Sequence, residues 1–171
     1  MRRLRETLLL AGEPPLAQAL VEFAFVLPIM LVLTLGLIDL GRAFVFGVSV
    51  QEGARQATRI AATAGADTTL TDAAVLGRLI SASSPALTGC AAVTAVQTCN
   101  GGSWTLRLTV QSSGSTYSSL AAARAADALP GSRVTVTAAG AVGLLAGVQT
   151  GLFGLRLPEI GVQGQAAMVV L

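Results

Sequence analysis

Residues 17–42 read AQALVEFAFVLPIMLVLTLGLIDLGR, and this apolar run decides how the rest of the chain must be read. Its uncharged core extends from Phe23 to Ile38. Counting back to Leu20, with Glu22 tolerated, gives 19 residues, close to the roughly 20 that an α-helix needs to cross the hydrocarbon of a bilayer. Glu22 is the anomaly. A carboxylate at the bilayer centre costs about 2.5 kcal/mol or more, and an acid kept there marks function.

The flanks extend the reading in both directions. Arg2, Arg3 and Arg5 precede the run, against Glu6 and Glu13, while Arg42, Arg55 and Arg59 follow it. The balance leans toward a cytoplasmic N-terminus. A cleaved secretory signal is the competing reading. The apolar run exceeds the usual h-region of about 7 to 15 residues, and Gly41-Arg42-Ala43 is a poor cleavage site. Upstream, Glu13-Pro14-Pro15-Leu16-Ala17 closes a polar leader, because the two prolines stop a helix from crossing. Downstream, one helix is expected from Gln18 to about Ala64, with Pro28 its only strong breaker. Gly36, Gly41 and Gly47 weaken a helix in water but suit close helix–helix packing. After Arg42 the pattern turns amphipathic: Phe46, Val50, Ala54, Ala57 and Ala61 fall on one stripe, with Gln51, Glu52, Arg55 and Arg59 elsewhere.

Gly65-Ala66-Asp67-Thr68 breaks this helix. A second helix is expected from Leu70 to Ala82, capped by Asp67, Thr68 or Thr69 and ended by Pro85. Ala92 to Thr98 reads as a strand, Cys99-Asn100-Gly101-Gly102 as a turn, and Trp104 to Val110 as a half-buried strand with Trp104, Leu106, Leu108 and Val110 on one face. Ser118 to Leu129 suggests a short Ala-rich helix with serine caps, or a loop. Val134 to Thr137 is another strand, a Gly- and Leu-rich loop spans roughly 140 to 156, and a last strand runs from about Ile160 to Val170. The fold class is therefore α+β, a long N-terminal helix packed on a small antiparallel sheet of about four strands.

Composition narrows the function classes. The 171 residues are 53% hydrophobic and 12% charged, too apolar for a disordered chain. The formal net charge is +2, and all 11 basic residues are arginines with no basic stripe, which gives nucleic-acid binding no support. There is no histidine, the commonest general base and metal ligand. Asp67, Asp72, Asp127 and Glu159 form no readable dyad or metal cluster, so no catalytic residue, metal or cofactor is expected. Cys90 and Cys99 are expected to pair outside the cytoplasm, the alternative being two free buried thiols. Asp39 and Arg42, three residues apart near the end of the apolar run, suit a mutual ion pair marking the membrane exit.

Gln18 to Pro28 reads QALVEFAFVLP, and Asp39-Leu40-Gly41-Arg42 closes the run. This resembles the TadE/TadG-like pseudopilins of the tight-adherence (Flp) pilus system, specifically over about residues 17 to 60. A weaker likeness lies at Val134-Thr135-Val136-Thr137 and Gln165-Ala166-Ala167-Met168-Val169. The resemblance implies a pilin-like protein whose leader is removed by a prepilin peptidase between Ala17 and Gln18, leaving Glu22 at the fifth mature position. The family usually has glycine before the cut, where this chain has Ala17; the nearby Gly12 would put Ala17 at the fifth position and fits worse. It also implies other pilin or pseudopilin subunits, the Tad secretion platform and the lipid bilayer as partners.

On this reading residues 1–17 are a cytoplasmic leader, 18–42 a transmembrane helix, 43–64 its amphipathic continuation and 65–171 an extracytoplasmic α+β domain. Glu22 would pair with the new amino terminus of its own or an adjacent chain, or else snorkel without a partner. Pro28 would bend the helix for packing into a filament, or is an ordinary transmembrane proline. The alternative to a pilus component is a single-pass envelope protein whose outer domain binds a partner and never polymerises.

Overall fold

The computed structural model describes the backbone of residues 15–90, 96–99, 102–143 and 159–171. The leader through residue 14, the start of the expected strand at 92–95, the Asn100-Gly101 turn and the expected loop from 144 onward lie outside the described residues. The chain divides into two compact units, Met1–Ile38 and Asp39–Leu171.

Helix α1 spans Pro15–Ala61 and ends in a 3-10 turn at Ala62–Gly65. It begins three residues before the expected Gln18. Pro15 is the reason: a proline in the first turn loses no intrahelical bond and has its φ already set for a helix. In the first unit the described side chains of α1 are exposed on every side, as with Phe25 at 70% and Leu37 at 72%.

In the second unit one stripe of α1 is buried: Asp39, Ala43, Val50, Ala54, Ala57 and Ala61, with Phe46 packed at its edge. The spacing of three and four residues is that of one helix face. This face covers an antiparallel sheet of five strands: β1 (Val96–Cys99), β2 (Gly102–Ser112), β3 (Ser115–Tyr117), β4 (Arg133–Gly143) and β5 (Glu159–Val169). The order is β1-β2-β4-β5, with β3 also paired to β2. Trp104, Leu106, Leu108 and Val110 of β2 join Val134, Val136 and Ala138 of β4 and Val162 of β5 in a core shared with α1. Register sets Arg107 opposite Thr137 and Thr137 opposite Gln165, so alternation leaves a polar ladder on the other face.

Two short helices complete the layer. Helix α2 (Asp72–Ala82) buries Val75, Leu76 and Leu79. Its N-cap is Thr71, whose hydroxyl accepts from Ala74 N–H at 3.3 Å, not Asp67, Thr68 or Thr69. Asp67 is already used: its Oδ1 accepts from the Thr69 hydroxyl at 2.7 Å and the Thr69 N–H at 2.9 Å, closing a tight turn. Those bonds, the hydroxyl's first, hold the Asp67 carboxyl below its ordinary value. Helix α3 (Leu120–Ala125) is capped by Ser119, and its Leu120 N–H donates to Asp72 Oδ1 at 2.8 Å. Arg124 on α3 donates to the carbonyls of Leu70 at 2.8 Å and Asp67 at 2.9 Å, tying α3 to the turn that precedes α2.

Two sequence expectations need correction. Strand β4 does not stop near Thr137 but runs to Gly143, through the start of the expected loop. Gly140 permits this, because a Cβ there would meet the Trp104 indole, so the missing side chain makes room for the largest core residue. Strand β3 was not anticipated; it is three residues long, too short for alternation to register.

The contact that fixes the sheet against the helix is α1 on β5. A Cβ on Gly164 would lie 2.6 Å from the Val50 carbonyl carbon. At that crossing the Gln51 side chain acts as a surrogate strand, its Nε2 donating to the Gln165 carbonyl at 2.8 Å and its Oε1 accepting the Gln165 N–H at 3.1 Å. Farther along, the Thr58 hydroxyl lies 3.3 Å from the Ala166 carbonyl, and the Leu171 N–H donates to the Ala62 carbonyl at 3.1 Å. Gly164→Val is therefore expected to lower unfolding stability by about 3 kcal/mol or more, whereas Gly161→Val, which faces open space on the same strand, shifts it by less than about 1 kcal/mol. Denaturant titration of the purified protein in detergent separates the two.

Candidate functional site

The candidate residues lie along α1, apart from the cysteines. At its start, Gln18 Nε2 donates to Glu22 Oε1 at 3.2 Å, both side chains being exposed. The i, i+4 spacing stacks them on one face; α1 begins at Pro15, so Gln18 lies in its first turn and Glu22 about two turns in, past the unpaired N–H groups of the helix end. The Ala17–Gln18 bond lies inside the helix because α1 begins at Pro15. Pro28 sits within α1 and has no N–H to offer the Ala24 carbonyl. Two turns further on, the Thr34 hydroxyl donates to the Met30 carbonyl at 2.8 Å, which satisfies it without any outside partner.

At the head of the second unit, Arg42 Nη1 lies 3.6 Å from Asp39 Oδ1. Asp39 is only 6% exposed and opens the buried stripe of α1, while Arg42 is 41% exposed. The Arg42 guanidinium also stands 5.8 Å from the centroid of the Phe46 ring, a geometry in which the ring face attracts the cation. The acid and the base therefore neutralise each other within one helical turn. Cys90 and Cys99 form a disulfide with a Cα–Cα distance of 4.3 Å, closing a loop of separation 9 onto the last residue of β1.

No group of three or more metal-ligating side chains occurs among the described residues. The depressions between α1 and β5 are shallow and open; one of about 450 Å³ lies between Phe44, Val48, Gln51 and Gln163. Sequence reasoning missed Gln51, Asp72 and Arg124, whose partners are backbone atoms 48 to 114 residues away. Only the position of Gln51 between apolar and charged turns distinguishes it in the sequence.

These features define a class: an α+β domain whose first helix carries, at its N-terminal end, a segment long and apolar enough to cross a membrane. Residues 17–59 match the family described as TadE-like protein. The matched segment is thus TadE-like, and it contains Glu22, Pro28, Asp39, Arg42 and most of the buried stripe. Together with the apolar helix it supports a membrane protein of the Tad pilus system. No curated protein and no solved structure matches the chain.

Opening the Cys90–Cys99 loop by a double Cys→Ser substitution is expected to lower stability by about 2–3 kcal/mol, from chain entropy alone. Thermal unfolding with and without reductant checks this, since the double variant should no longer respond to reductant.

Proposed function

We propose that this chain is a pseudopilin or minor pilin of a Tad/Flp-type pilus, a structural component or assembly factor without enzymatic activity. The observation that carries the reading is Glu22, an acid near the start of an otherwise apolar helix inside the TadE-like segment. A prepilin peptidase would cut between Ala17 and Gln18. The new ammonium of Gln18 would then lie about one helical turn from Glu22, on the face where the Gln18 side chain already reaches it. That ammonium, or the one on an adjacent subunit, offsets the cost of a carboxylate in an apolar layer. Because one charge then selects one register, helix–helix association is specified by a single contact.

The N-terminal arginines favour a cytoplasmic start, and the disulfide favours an oxidising compartment for the second unit. The partners on this reading are the peptidase, other pilin or pseudopilin subunits, the Tad secretion platform and the bilayer.

Mass spectrometry of the mature N-terminus is the direct test. A chain beginning at Gln18 is expected; an intact Met1 on the assembled protein overturns the maturation step and favours a plain single-pass envelope protein. Glu22→Ala is expected to leave membrane insertion unchanged while abolishing incorporation into pili, read by cell fractionation and by counting pili. Normal piliation in that variant sinks the role given to Glu22.

A further inference from the structure

The stripe of α1 that faces away from the sheet changes character partway along the second unit. Leu40, Phe44, Val45 and Val48 are 61, 72, 50 and 55% exposed, an apolar surface beginning immediately after the buried Asp39. From Glu52 onward the same side carries Glu52, Arg55 and Arg59, with Arg55 Nη1 lying 3.7 Å from Glu52 Oε2. An exposed apolar face followed along one helix by a charged one is the order expected where a helix leaves lipid for water.

Within this stretch the charge of Arg42 is met by Asp39 and the Phe46 ring, and its long side chain can carry the guanidinium toward the level of the headgroups.

We propose that the outward face from Leu40 to Val48 seats the C-terminal unit on the bilayer, with Phe44 and Val48 lodged in the interfacial layer of the lipid. The open depression beside Phe44 and Val48, lined also by Gln51, Glu52, Arg55 and Gln163, gives lipid headgroups a polar edge to settle against. The occupant is a lipid surface, because this face continues the apolar run of the candidate membrane-spanning segment, and the one charged side chain within the stretch, the partly exposed Arg42, is paired with Asp39. The inference rests on the membrane-anchor reading above and adds a second, lateral contact between the protein and the bilayer.

The test uses the full chain with its disulfide intact, reconstituted at one copy per vesicle on average. Met30→Cys, Phe44→Cys, Val48→Cys and Arg59→Cys are each labelled with an environment-sensitive fluorophore. Lipids carrying a nitroxide near the headgroup and aqueous iodide serve as opposing quenchers. Labels at 44 and 48 are expected to shift to the blue and lose most of their emission to the nitroxide lipid, while the label at 59 answers to iodide. If 30 is quenched by lipid but 44 and 48 answer to iodide, the seat is overturned and the anchor stands. If 44 and 48 are shielded from both quenchers, protein covers the face and the lipid seat is again overturned. If 30 itself is not quenched by lipid, the anchor reading fails first.

Discussion

The close approach of α1 to β5 is the contact on which the second unit depends. Val50, Ala54, Ala57 and Ala61 present a face of one valine and three alanines, and Gly164 presents no side chain at all. Small residues on both sides bring two backbones near enough for the Gln51 amide to pair with Gln165 as a neighbouring strand would. The outer edge of β5 is thereby partly closed, which limits the edge-to-edge pairing that an open strand invites. The same economy of volume recurs at Gly53, where a Cβ would collide with Ser83 and the Leu79 carbonyl, so α2 also crosses α1 without a side chain between them. The large residues Trp104, Leu106 and Leu79 fill the space left beyond these crossings.

A single helix then meets two surroundings. An α-helix satisfies its own backbone hydrogen bonds, so it can pass from an apolar medium to a protein core without leaving donors or acceptors unpaired. What must change along it is the side chains alone. From Phe23 to Ile38 the helix carries no charge in any direction; from Asp39 one face turns small and buried while the opposite face stays apolar for two more turns before becoming charged. The paired charges at Asp39 and Arg42 stand where the first of these changes occurs.

Much of this was legible because the signals are local. The apolar run, the three- and four-residue spacing of the alanine stripe, and the alternation of Trp104, Leu106, Leu108 and Val110 each lie within a short window. What was not legible depends on partners distant in sequence. Gly140 looks like a strand breaker until the Trp104 indole above it is known. The true cap of α2 was hidden because Asp67, a good capping residue by type, is taken up by Thr69. Glu22 and Pro28 were visible at once, being exceptions to an otherwise uniform pattern.

The bonds between α1 and the end of the chain also have a mechanical meaning. Gln51 to Gln165, Thr58 toward Ala166 and Ala62 to Leu171 advance in the same direction along both elements. Tension arriving along α1 would load this seam lengthwise, so its contacts share the force and must give way together instead of peeling one at a time. The buried alanine stripe, set into the sheet by Gly164, adds a surface that resists sliding. Any pull along this part of α1 reaches the folded sheet through that seam.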